Sequence, residues 1–215
     1  MIKAIIFDMN GVIIVDEQYH TESWKEFCKK YNFTLTDDEF KTEVMGKRDQ
    51  DTLVYLFKGN LSNEGINKYS DERYRMAKAL MKGKLVLPEG LIDLLDKLQS
   101  KNILLAIATS ATKDYANFIM NKFGLKKYFS VIITAEDVIE GKPSPEIYLK
   151  TANKLKINPE NCLVVEDSMP GIESAKAAGM KVIAITSSLS REELKGLADY
   201  VIDSFSDFDF SLLSP

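Results

Sequence analysis

Cysteine is scarce in this chain: 215 residues hold two, Cys28 and Cys162. Two thiols without ligand spacing exclude a disulfide framework and a cysteine-based metal centre. Cys162 opens an apolar run, so both are expected buried and reduced, as in a cytoplasmic protein. No apolar run is long enough to cross a bilayer. No cleavable leader is expected, since Lys3 interrupts the short apolar stretch at the N-terminus. A large charge excess is likewise missing. The net charge of -4 gives no electrostatic reason to expect nucleic acid or an anionic membrane as partner. There is no internal repeat and no low-complexity segment. What is present is ordinary globular composition, 45% hydrophobic and 28% charged. The length suffices for one sizeable core, or a core with a small insert, and a monomer is expected.

The apolar residues fall into two kinds of run. Ile2–Phe7, Ile103–Thr109, Val131–Thr134, Cys162–Glu166 and Lys181–Thr186 are short, rich in Ile and Val, and nearly continuous. Strands buried on both faces of a parallel sheet have that character. Helical spacing lies between them: Leu91, Leu94, Leu95 and Leu98; then Tyr115 to Phe123, with Gly124 as C-cap; then a helix begun by Ser144 with Pro145 at its first position; then Ile172 to Ala178, closed by Gly179. Alternation of this kind implies right-handed crossovers and a doubly wound sheet. Residues 16–82 break it. They contain no convincing strand, and the spacing predicts helices over Tyr19–Tyr31, Thr36–Met45, Gln50–Phe57 and Asn63–Met81. The fold class expected is therefore α/β, a Rossmann-like parallel sheet core of residues 1–15 and 83–215 with an inserted α-helical cap domain of residues 16–82.

Four segments carry residues suited to chemistry. The first strand ends in Asp8 and the second in Thr109-Ser110. A loop after the third offers Gly141-Lys142-Pro143, and the fourth ends in Glu166-Asp167-Ser168. Parallel strands bring these ends to one edge, where ligands of open α/β sheets bind. The set suits phosphoryl transfer. Asp8 is an ionisable nucleophile. Asp167 with Glu166 offers oxygen ligands to Mg²⁺. Lys142 brings a positive charge for phosphate oxygens, and Thr109 a hydroxyl with the backbone amides that follow it. The bland readings are a turn residue for Asp8, a helix cap for Thr109, a solvated strand end for Glu166-Asp167, packing for His20 and Trp24, and a surface pair for Lys47-Arg48. The order of the four segments lifts the functional reading above them.

Asp8-Met9-Asn10-Gly11-Val12, Thr109-Ser110, Lys142-Pro143 and Glu166-Asp167 together resemble the four motifs of the haloacid dehalogenase superfamily. The position of the helical insert, and Asp16-Glu17-Gln18-Tyr19-His20 through Trp24, resemble its β-phosphoglucomutase-like branch. The resemblance implies a Mg²⁺-dependent enzyme acting on a small phosphorylated metabolite such as a sugar phosphate. Asp8 would be phosphorylated. Asp8, the Asn10 carbonyl and Asp167 would hold the metal with Glu166 in support, and Thr109, Ser110 and Lys142 would hold the phosphoryl group. Two departures stand out. The family's general acid/base is an aspartate where this chain has Asn10. Its mutases carry a lysine and an arginine where this chain has Met45 and Asp49; Lys47 and Arg48 lie between. Asp16 and His20 are candidates to replace the missing proton carrier. The alternatives to a phosphatase are a phosphosugar mutase and a phosphate-ligand binding protein with impaired turnover.

Overall fold

The computed structural model describes residues 1–213. Six strands form one parallel sheet: β1 Ala4–Phe7, β2 Leu104–Ala108, β3 Val131–Ile133, β4 Cys162–Glu166, β5 Lys181–Ile185 and β6 Tyr200–Ile202. Their order across the sheet is β3-β2-β1-β4-β5-β6. Every residue of β1 and of β4 is buried, which is why these strands read as unbroken apolar runs.

Alternate residues of each strand face opposite sides, so the sheet divides two cores. Ile5, Phe7, Leu163 and Val165 pack on one side with Leu91 and Leu95 of α5 (Leu91–Ser100) and Tyr115 and Ile119 of α6 (Lys113–Lys122). Ala4, Ile6, Val164 and Val182 pack on the other with Ile147 and Tyr148 of α7 (Glu146–Leu155) and Ile172 of α8 (Met169–Ala177). The helix ends follow local signals. Thr112 accepts from the Tyr115 N–H to start α6, and Ser168 from the Gly171 N–H to start α8.

The structure corrects two expectations. β6 was not anticipated, because it is a three-residue strand at the sheet edge. Pro145 is the N-cap of α7 rather than its first residue; the helix starts at Glu146, with the Leu149 N–H bonded to the Pro145 carbonyl. Strand ends otherwise move by a residue or two, as ends do. Cys28 and Cys162 are both free and buried.

Between β1 and α5 lie helices only: α1 Glu17–Lys30, α2 Asp37–Glu43, α3 Asp49–Leu56 and α4 Asn63–Met81. They enclose a core of their own from Trp24, Phe27, Cys28, Val44, Leu53 and Leu56. Aromatic packing extends it, with Phe57 stacked on Tyr69 at 4.9 Å between ring centroids. Thr36 starts α2 in a capping box with Glu39. Among the described residues no helix is long and apolar enough to cross a membrane.

Candidate active site

β1 runs in the middle of the sheet, with β2 and β4 on either side. Asp8, Thr109 and Asp167 therefore follow three adjacent strands at their carboxyl ends. Asp8 is fixed by its backbone N–H, which donates to the Val165 carbonyl at 2.9 Å. Lys142 reaches this edge from the loop after β3. Its Nζ lies 2.6 Å from Asp8 Oδ1 and 2.5 Å from Glu166 Oε1, with all three side chains buried. The Tyr148 hydroxyl also donates to Glu166 Oε1, at 3.0 Å. Glu166 Oε2 accepts from the Asp167 and Ser168 N–H groups at 2.8 and 2.9 Å, and from the Ser168 hydroxyl at 3.0 Å. Both oxygens of Glu166 are thus engaged, and its side chain does not line the cavity above. Its carboxylate holds Lys142 and the turn that carries Asp167.

Burial and charge set the electrostatics. Burial would push the Glu166 carboxyl up, but Lys142 and the surrounding donors hold it below its ordinary value. Burial also opposes charge on Lys142, yet Asp8 and Glu166 keep the ammonium's pKa well above the ordinary one. Asp8 is raised to about 7: burial outweighs the pull of Lys142, and Glu166 adds repulsion. Asp167 is raised well above its ordinary value by burial and by the charges of Glu166, Glu17 and Asp8. Two cavity-facing carboxyls that resist ionising together fit a hard divalent cation, which would relieve that repulsion. The turn that carries Asn10 closes through the Ile14 N–H to the Met9 carbonyl and the Gly11 N–H to the Ile14 carbonyl. Gly11 makes its close approach to Asp167 possible. Its φ is +73°, and a Cβ there would stand 1.9 Å from Asp167 Oδ2.

Asn10 opens a second network. Its amide nitrogen is 2.7 Å from Asp16 Oδ2 and 3.1 Å from His20 Nε2. Asp16 is fully buried and also accepts from the Tyr115 hydroxyl at 2.5 Å. His20 Nδ1 faces Arg73 Nη1 at 2.8 Å. A guanidinium only donates, so Nδ1 is the acceptor of that contact, while Nε2 lies 3.5 Å from Asp16 Oδ2. Arg73 in turn grips Asp49, with Nη2 at 2.6 Å from Oδ1 and Nε at 3.0 Å from Oδ2, and lies over the Trp24 ring at 5.3 Å.

The helical insert closes over the sheet edge and leaves a cavity of about 660 Å³. Asp8, Asn10, Ser110 and Asp167 line it from below, and His20, Lys47 and Arg48 from above. Thr109 is fully buried beside it, its hydroxyl accepting from the Ala111 N–H at 3.1 Å. The Ser110 hydroxyl donates to the Gly46 carbonyl at 2.7 Å and so joins the core to the insert. Lys47-Arg48 is not the surface pair of the bland reading. Arg48 is buried, bound to Asp51 and, through Nη1, to the Val138 and Ile139 carbonyls at 3.2 and 3.1 Å. Arg73, Tyr115 and Tyr148 were not anticipated. A charged residue in an amphipathic helix and two aromatics at core spacing carry no signal of a site.

A family model described as haloacid dehalogenase-like hydrolase matches residues 5–185. The phosphorylated carbohydrates phosphatase of Thermotoga maritima is 32% identical over 181 residues, which is 84% of this chain and 83% of the relative. A solved HAD hydrolase of Entamoeba histolytica superposes with a TM-score of 0.84 at 32% identity, covering 99% of this chain and 97% of that one. CbbY of Rhodobacter sphaeroides, solved as a mutant with xylulose-(1,5)bisphosphate, superposes with a TM-score of 0.79 at 28% identity over 96% of each chain. The chain belongs to the haloacid dehalogenase-like hydrolase family.

Proposed function

We propose that this protein is a Mg²⁺-dependent phosphatase of a small phosphorylated metabolite, working through an aspartyl-phosphate on Asp8. The observation that carries this reading is the buried Asp8–Lys142–Glu166 cluster opening into a cavity roofed by the insert. Asp8 Oδ attacks phosphorus in line, and the bond to the leaving oxygen breaks. Water then attacks the same phosphorus, and the Asp8 carboxylate is restored as inorganic phosphate leaves. Lys142 holds a phosphoryl oxygen once the phosphate displaces part of its grip on Asp8, while Glu166 keeps the ammonium in place. Thr109 and the amides of Ser110 and Ala111 offer further donors. Asp8, Asp167 and the Asn10 carbonyl would hold Mg²⁺, whose positive charge would offset the repulsion between the Asp8 carboxylate and an anionic phosphate. In this reading residues 16–82 act as a cap that excludes bulk water and selects the leaving group. The phosphatase activity named for the Thermotoga relative supports the reading.

The Asn10–Asp16 hydrogen bond favours a second reading, a phosphate-ligand binding protein with impaired turnover. One assay separates them: Mg²⁺-dependent phosphate release from sugar, aryl and acyl phosphates, with Asp8→Asn as blank and Asn10→Asp beside it. Release by the parent that disappears in the blank supports the phosphatase. Release only by Asn10→Asp supports the binding protein. Release by neither sinks the phosphatase reading.

A further inference from the structure

Lys47, Arg48 and Arg73 are, among the described residues lining the cavity, its only lysine and arginines. Each is already held by a carboxylate of the insert itself. Lys47 Nζ lies 3.0 Å from Glu43 Oε2. Arg48 meets Asp51 at 2.7 and 2.8 Å through Nε and Nη2, and its third nitrogen serves two backbone carbonyls. Arg73 grips Asp49 through Nε and Nη2 and turns Nη1 to His20. Asp71 and Asp114 also line the cavity, and neither has a salt-bridge partner among the described residues. An anionic group entering this half of the cavity finds its cations neutralised and uncompensated carboxylates nearby, an arrangement that disfavours it. Gln50, Asn67 and Ser70 line the same half and can bond hydroxyls.

We propose that Glu43 and Asp49 are specificity-determining residues: by neutralising Lys47 and Arg73 they confine the site to phosphomonoesters whose leaving group carries no second anionic group. This rests on the reading that the leaving group lies beneath the insert. The test is calorimetric binding of a hexose monophosphate and the corresponding bisphosphate, with Mg²⁺, to an Asp8→Asn background that does not turn over. The monophosphate is expected to bind at least about tenfold more tightly. Asp49→Asn and Glu43→Gln should each shift the ratio toward the bisphosphate by about tenfold, equivalent to ~1.4 kcal/mol, and Asp49→Glu should restore it. A loosened insert would weaken both ligands together and leave the ratio alone. Equal or tighter binding of the bisphosphate, a ratio that neither variant moves, or binding of neither ligand overturns the proposal. Turnover of the monophosphate by the Asp8 parent is measured alongside. Selective binding without turnover would count against the phosphatase while the specificity stands.

Discussion

The Asn10 side-chain nitrogen donates to Asp16 Oδ2 at 2.7 Å, so the side chain two residues after Asp8 is an amide tied to a buried carboxylate. An amide orients a neighbour but carries no proton that it can give to a leaving alkoxide. Positioned acid–base catalysis is worth ~10²–10⁴-fold. Aryl and acyl phosphates, whose leaving groups need little protonation, should therefore exceed alkyl phosphates in kcat/KM by roughly that margin. Asn10→Asp should narrow the gap. Comparable rates for both classes in the parent would show that another group delivers the proton.

Among the described residues, Lys142 is the one cation in contact with two buried carboxylates. Its replacement by methionine should destabilise the fold by about 3–5 kcal/mol, because Asp8 and Glu166 then lie buried without the ammonium that offsets their charges. The double variant Lys142→Met/Glu166→Gln should lose less than the single one. Urea unfolding of the pair checks the sign of the coupling.

A Cβ on Gly141 would stand 2.3 Å from Asp51 Oδ2 and 2.6 Å from Arg48 Nε. The backbone at Gly141 is not in the left-handed region, so the cost of Gly141→Ala is steric alone. The substitution should push the Arg48–Asp51 pair off the loop and lower stability by about 1–3 kcal/mol. A urea midpoint equal to that of the parent would show that the insert yields freely.

Glu17 is raised from its ordinary 4.5 to about 8, by burial first and then by Asp16 and Asp8. A carboxyl raised in the folded chain holds its proton more tightly there than in the unfolded chain. Stability must then fall as pH climbs from about 4.5 toward 8. Glu17→Gln removes that fall. It should be more stable than the parent above pH 8, by about 2–4 °C in Tm for roughly 1 kcal/mol, with no advantage below pH 4. Parallel Tm curves for the two proteins would contradict it.

Much of the fold was legible because each buried parallel strand is a short Ile/Val-rich run, and Asp8, Thr109 and Asp167 punctuate three of them. Tyr200–Ile202 was not legible: three residues at a sheet edge, partly exposed, leave no pattern. Of the network around Asn10, Asp16 and His20 were legible as neighbours of the first strand's end, and Arg73 and Tyr115 were not. Arg73 bonds Asp49 across 24 residues, and Tyr115 bonds Asp16 across 99. Distances of that length are set by how the insert folds back, and local spacing does not record them. Glu166 was legible as the neighbour of Asp167, whereas the contacts of its carboxylate with Tyr148 and Lys142 were not, because both partners come from distant parts of the chain.

Arg48 hangs from the carbonyls of Val138 and Ile139, and the same loop delivers Lys142 a few residues later. The roof and the charge beneath it therefore share one strut. A displacement of the start of α3 would therefore be felt along the segment that carries Lys142 to Asp8.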